Sequence, residues 1–279
     1  MKRKVKTKVK GFRTTDGAGV KLVRVLGNLT TKEFDPILML DSFDSINPDD
    51  YTAGFPMHPH RGIETISYVS RGKMVHRDSL GNEAGISDGE VQWMNSGSGI
   101  MHEEMVPAAE RLLGVQLWLN LPAKDKMSKP SYNSIKNEDI KEIEIEGGKI
   151  RLLAGKYGEH EGYKGDYLSM DYYDIHLNAD AEVTLTMEED DSVMVFTLLG
   201  DVYIEGENIE EKTAVKLTEG DSLTIKNGNE KAQVLYMNSR ALNEPVAWAG
   251  PIVMNTQEEL QKAFLELRSN TFIKETAEY

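Results

Sequence analysis

A chain of 279 residues with no cysteine has no disulfide framework, no thiolate metal site and no cysteine nucleophile, which fits a reducing, cytoplasmic setting. Hydrophobic residues make up 39% of it, enough for at least one sizeable core, and the length allows two domains. A formal net charge of −14 argues against direct contact with nucleic acid or an anionic membrane.

The basic exception opens the chain, where Lys2, Arg3, Lys4, Lys6, Lys8 and Lys10 have no acid among them. They read either as a nucleic-acid or membrane arm or as a solvated edge strand. Val5, Thr7 and Val9 alternate with the lysines, and lysines blunt strand edges, so the edge strand is the better supported reading. No apolar stretch follows that would make a secretory signal. No run approaches the ~18 apolar residues of a membrane span.

Short strands dominate what comes next. Residues 20–26, 37–40, 63–69, 73–77, 91–94 and 112–121 are β-branched or alternating, and Gly, Asn and Asp turns separate them. Residues 41–50 read as loop, being rich in Asp, Ser, Asn and Pro. Strands spaced by about 8–12 residues indicate a sandwich or barrel, and a double-sheet jelly roll removes most free edges. Residues 122–137 break the rhythm and read as a linker. The rhythm then returns at 142–146, 181–187, 193–199, 201–205, 214–217, 222–226 and 232–237. Two copies of one β fold are expected, with domains 1–135 and 136–279. One helix is expected near the end. Thr256 and Glu259 form a capping box, and Leu260, Ala263, Phe264 and Leu267 make one apolar stripe that should pack on a barrel wall.

Two stretches carry chemistry. In Phe55-Pro56-Met57-His58-Pro59-His60-Arg61-Gly62-Ile63-Glu64, His58 and His60 share one face of an extended strand. Two imidazoles on one face begin a metal site. In Gly97-Ser98-Gly99-Ile100-Met101-His102-Glu103-Glu104, His102 and Glu104 share a face and Glu103 points the other way. If the stretches meet, three histidines and a carboxylate close a pocket. The glycines allow the close approach that this needs. The plainer reading makes His58 and His60 loop residues and His102 a core residue. Agreement of spacing and parity in both stretches argues against it. On parity alone the carboxylate is Glu64 or Glu104. Phe55, Met57, Trp93 and Met101 are candidates for an apolar lining. His76 reads as an exposed strand histidine, and His160 and His176 as surface or structural.

The chain resembles the cupin superfamily, and more closely the pirins. The stretches that carry the likeness are 47–56 with His58-Pro59-His60-Arg61-Gly62, then Val75-His76-Arg77-Asp78-Ser79-Leu80-Gly81-Asn82, Val91-Gln92-Trp93-Met94, Asn243-Glu244-Pro245-Val246 and 250–256. The resemblance implies an all-β fold of two tandem cupin barrels with a C-terminal helix, and metal in the N-terminal barrel alone. It implies one divalent ion, Fe2+, held by His58, His60, His102 and Glu104, with Glu64 behind the ligands. Mn, Ni, Co, Cu and Zn suit the same donors. Quercetin 2,3-dioxygenase activity is implied on a small aromatic enol and O2, with ring opening, loss of carbon monoxide and Glu104 taking the substrate proton. A metal-dependent, redox-sensing module that binds a protein partner is the alternative. A sugar-isomerase-like cupin with zinc or manganese is a third. A monomer is expected, since tandem barrels already pair within one chain. Three positions depart from the family pattern. Ile63 replaces an aromatic residue, Glu103 adds a charge between two ligands, and Met105-Val106-Pro107 carries an inserted residue.

Overall fold

Nearly all the strands expected from the sequence are present in the computed structural model of the chain, which describes residues 1–275. They build two double-sheet barrels, each a seven-stranded sheet facing a four-stranded one. One barrel orders its larger sheet as Ser131–Ile135, Glu90–Asn95, Ile63–Arg71, Leu112–Asn120, Ile37–Ser45, Val20–Leu26 and Phe12–Asp16. Its smaller sheet runs Phe55–His60, Ile100–Met105, Lys73–Asp78 and Glu83–Ser87. The other barrel orders Val5–Lys10, Thr213–Leu217, Ser192–Leu199, Ala232–Ser239, Met170–Leu177, Gly148–Ala154 and Lys141–Ile145, with Glu182–Thr186, Ser222–Asn227, Val202–Ile204 and Glu207–Ile209 as its smaller sheet. An apolar cluster fills this second barrel, including Ile150, Ile175, Val195, Val215, Leu223 and Val234, all buried.

The chain divides between Lys136 and Asn137 into two compact units, and its ends cross that division. The compact unit around the first barrel comprises Arg13–Thr31, Ile37–Lys136 and the segment from Leu242 onward, while Met1–Phe12 and Lys32–Pro36 belong with Asn137–Ala241. The cause is pairing over long sequence separation. Strand Val5–Lys10 adds to the edge of the second barrel through Thr213–Leu217. Its lysines point at acids of the same unit, with Lys6 on Glu33, Lys8 on Glu207 and Lys10 on Glu210. The solvated-edge reading therefore stands. The helix Gln257–Arg268 has its Thr256–Glu259 capping box. Its stripe packs on the ribbon Ala247–Ala249 and Ile252–Met254, burying Leu260 and Ala263 with Met254 and Phe272.

Two further expectations need correction. The strand at 37–40 runs on to Ser45, so residues 41–45 are not loop. Asp41 is tolerated in a buried strand because Arg24, on the neighbouring strand, donates Nε to Oδ1 at 2.9 Å and Nη2 to Oδ2 at 2.7 Å. The linker at 122–137 contains Ser131–Ile135, which pairs with Glu90–Asn95 and closes one edge of the sheet.

The same segment buries Lys126, whose Nζ donates to Gly62 O at 2.8 Å, Asn120 Oδ1 at 2.7 Å and Val253 O at 3.2 Å. Burial pushes this ammonium down to about 7, only partly offset by Glu244 and Glu259. Between about pH 7 and its ordinary value near 10.4, the unfolded chain therefore binds more protons at this site than the folded one. Stability from Lys126 is complete above that window and is lost as pH falls toward 7. Urea unfolding of the parent and Lys126→Met at pH 7 and pH 9 checks the sign. The parent should gain on the variant as pH rises, by at most about 1.4 kcal/mol per pH unit.

Candidate metal centre

The smaller sheet of the first barrel gathers the site on one face. Cross-strand partners in an antiparallel pair project to the same side. His102 pairs with His58 on one neighbour and Asp78 on the other, and Glu104 pairs with Phe55 and His76. The register slips between His102 and Glu104, where Glu103 faces the two residues Pro56 and Met57. That bulge turns Phe55 to the same face as His58 and His60, which a regular strand would not do.

The histidines meet. His58 Nε2 lies 3.0 Å from His60 Nε2 and 3.0 Å from His102 Nε2. Nitrogens of all three lie within 4.8 Å of one another. Their protons can be assigned from the other ring nitrogen. His58 Nδ1 sits 2.8 Å from Pro56 O, and His60 Nδ1 sits 2.9 Å from Pro251 O. A carbonyl only accepts, so both Nδ1 atoms carry a proton, which in a neutral ring leaves Nε2 as the lone pair. Burial, then His58, pushes His60 down to about 3, and burial with the neighbouring imidazoles holds His102 well below its ordinary value. The three rings turn nitrogens on one point.

Three imidazole nitrogens in mutual contact, two of them on rings whose other nitrogen is held by a carbonyl, suit a cation. Two ligands at right angles about an ion at about 2.1 Å stand about 3.0 Å apart, which is the spacing here. Imidazole nitrogens without a thiolate suit a first-row transition ion. These residues therefore fit a bound metal.

The other expected residues divide. Glu104 is buried but stands outside the triad. Gln116 Nε2 donates to its Oε1 at 3.0 Å and its Oε2 at 2.8 Å, Gln92 Nε2 donates to Oε1, and Ser67 Oγ is 3.5 Å away. Glu64 lies, by strand alternation, on the face opposite Ser67, so it is not behind the ligands, although it is buried. A cavity of about 530 Å³ opens on His58 and His60, and its walls include Phe55, Met39, Gln116, Trp118 and Trp248. Met57, Trp93 and Met101 are not in those walls. Met57 and Met101 have the opposite parity to the histidines, and Trp93 has the opposite parity to Gln92, which reaches inward. Met57 is half exposed and Trp93 is buried on the far face.

Sequence reasoning also missed residues. Asp16, Arg24 and Asp41 form a polar wall. Trp248 and Pro251 come from the C-terminal segment, about 190 residues from His60, and Pro251 O accepts from His60 Nδ1. The signal was present in residues 250–256, which carry part of the pirin likeness. His76 is not exposed. It is fully buried, stacked on Tyr132 at 4.0 Å and 10°, with Nε2 2.8 Å from Asp78 Oδ2. The spacing His76-x-Asp78 repeats the same-face logic of His58-x-His60 and could have revealed it.

Two jelly-roll barrels in tandem, one with convergent imidazoles, define a bicupin with a metal-type centre. Comparison with known proteins narrows this. Residues 19–119 match the Pirin family model, and residues 172–273 match the Pirin C-terminal cupin domain. A Pseudomonas aeruginosa protein whose name carries a provisional quercetin 2,3-dioxygenase assignment is 39% identical over 268 residues, 92% of this chain and 94% of that one. Human pirin is 35% identical over 277 residues, 96% of this chain and 93% of its own. The crystal structure of a quercetin 2,3-dioxygenase from Acinetobacter baumannii superposes with a TM-score of 0.90 at 30% identity, covering 98% of this chain and 99% of that one. The chain belongs to the pirin family.

Proposed function

We propose that this protein is an Fe2+-dependent dioxygenase that opens the ring of a flavonol or related enolic phenol, in the manner of quercetin 2,3-dioxygenase. The convergence of three Nε2 lone pairs at a cavity walled by indoles carries the reading. Held by His58, His60 and His102, the ion supplies Lewis acidity at the substrate's enol oxygen and vacant positions for the reactants.

The chain's own residues do the rest. Trp118 and Trp248, with ring centroids 5.4 Å apart, offer flat apolar surface to a planar substrate and exclude water. Asp16 and Asp41, tied to Arg24, accept hydrogen bonds from phenolic hydroxyls at the opposite wall. Glu104 is the fourth ligand and the acceptor of the enol proton. Its support is electrostatic. The hydrogen bonds that hold this buried carboxylate come from neutral amides and a hydroxyl, so its charge is left for a cation to balance. Oε2 accepts a single hydrogen bond there, from Gln116, and keeps a lone pair for the proton.

A second reading, a metal-dependent protein-binding module, is favoured by Met57 and Met105, exposed apolar side chains on the adjacent strands that carry the histidines and Glu104. An oxygen electrode separates the two. The iron-loaded protein with quercetin should consume one O2 per flavonol. An anaerobic spectral shift that gives no uptake when air is admitted would sink the enzyme reading and favour the module.

A further inference from the structure

His76 and Asp78 are not in the walls of the cavity at His58 and His60, yet they stand directly behind His102. His102 Nδ1 is 3.4 Å from His76 Nδ1, and His76 Nε2 is 2.8 Å from Asp78 Oδ2. Both partners have side chains that are 0% exposed. Asp78 accepts from the backbone N–H groups of Leu80 and Asn82 at Oδ1, at 2.9 and 3.1 Å, and from Asn82 Nδ2 at Oδ2, at 2.9 Å. The group therefore accepts and does not donate.

The protons then have one arrangement. With Asp78 accepting, His76 donates Nε2–H to it, and a neutral ring then presents Nδ1 as a lone pair. That lone pair accepts Nδ1–H from His102, which leaves His102 Nε2 bare and turned toward His58. Tyr132, stacked flat on His76, fixes the ring plane. The register that pairs His102 with Asp78 and Glu104 with His76 fixes the distances.

We propose that His76 and Asp78 are positioning residues of the metal centre. Asp78 places the proton on His76, and His76 places the proton on His102, so a buried carboxylate two steps from the ion makes His102 a ligand. This rests on the three-histidine reading of the centre.

The test uses near-isosteric changes. In Asp78→Asn, Oδ1 still accepts from Leu80 and Asn82, but an NH2 faces His76 Nε2. His76 must then move its proton to Nδ1, where it meets His102 Nδ1–H, and His102 is driven to the Nε2–H form that cannot ligate. His76→Phe keeps the ring on Tyr132 and removes the acceptor. His76→Gln returns a carbonyl acceptor that does not depend on Asp78. Asn82→Ala loosens the loop on the same carboxylate and leaves the proton chain alone.

Two readouts decide. Histidine 15N spectra of the metal-free proteins report which ring nitrogen is protonated, and anaerobic Fe(II) competition with a chromophoric chelator reports affinity. Asp78→Asn should switch His102 to Nε2–H. Asp78→Asn and His76→Phe should each weaken Fe(II) about tenfold to a hundredfold, and the double variant should be no weaker than either. His76→Gln should recover most of the affinity, and Asn82→Ala should match the parent. A parental tautomer in Asp78→Asn, or an equal loss in Asn82→Ala, overturns the relay. Should the parent and His58→Ala bind Fe(II) alike, the three-histidine reading fails, and the His102 tautomer still decides the relay.

Discussion

Replacing His60 with alanine is expected to abolish metal binding and oxygen uptake together while leaving the barrel folded. The ligand set has no spare member, since without His60 only the two nitrogens of His58 and His102 and the proposed fourth ligand, Glu104, itself hydrogen-bonded by Gln92 and Gln116, are left. Loss of a partner behind a ligand typically costs up to about a hundredfold in affinity, and loss of the ligand itself should exceed that. The metal-free fold should tolerate the change. His60 faces a cavity and not a filled core, and removing it relieves contact between lone pairs. Thermal unfolding of the metal-free parent and variant should therefore nearly coincide, while metal analysis falls from about one equivalent to background. The same should hold for His58→Ala. Full oxygen consumption by a metal-free His58→Ala, His60→Ala double variant would falsify the mechanism, because no other cluster of metal-ligand side chains lies among the described residues.

The triad was legible in the sequence because strand alternation is a local rule. His58 and His60 are two residues apart, His102 and Glu104 likewise, and parity needs no knowledge of the partner strand. What parity could not supply was the partner. Whether Glu104 turns to the histidines or to Gln92 and Gln116 depends on strands 12 residues away in either case, and both amides come from the opposing sheet. Phe55 and Met57 show the complementary failure. A bulge reversed the parity between Phe55 and His58, and nothing in Pro56-Met57 announces it. Trp248 and Pro251 left no mark in the strand pattern for a third reason, although residues 250–256 carry part of the pirin likeness. They reach the site by chain topology, and loop closure over nearly 190 residues leaves no periodic mark. His76 was misread because a lone strand histidine is more often exposed, and Asp78, which removes that presumption, lies one residue past the strand expected at 73–77.

Gly62→Ala is expected to be among the costliest single methyl groups in the barrel, and to cost metal as well as stability. Gly62 follows the His58-Pro59-His60-Arg61 run and has φ +79°, where an L side chain is strained by about 1–2 kcal/mol. Its environment adds a second penalty. A Cβ at this position would lie 2.0 Å from Val253 O, a backbone atom that also accepts from Lys126 Nζ. Relieving such overlap by backbone shifts costs about 1–3 kcal/mol more. The shift cannot stay local. Gly62 N donates to Gly97 O at 3.0 Å, Gly62 O accepts from Lys126, and Arg61 beside it is buried between Ser98 O, Phe272 O and Glu266. Moving this peptide drags His60 relative to Pro251 O, whose hydrogen bond sets the ligating tautomer. Gly158→Ala separates strain from overlap, since Gly158 has φ +57° but nothing within 4 Å of its would-be Cβ. Urea unfolding should show Gly158→Ala losing about 1 kcal/mol and Gly62→Ala losing about 2–5 kcal/mol. Metal titration should show full occupancy in the first and a deficit in the second. Equal losses in the two variants would mean that Val253 yields freely, and that the segment from Leu242 onward is not the rigid wall on which His60 depends.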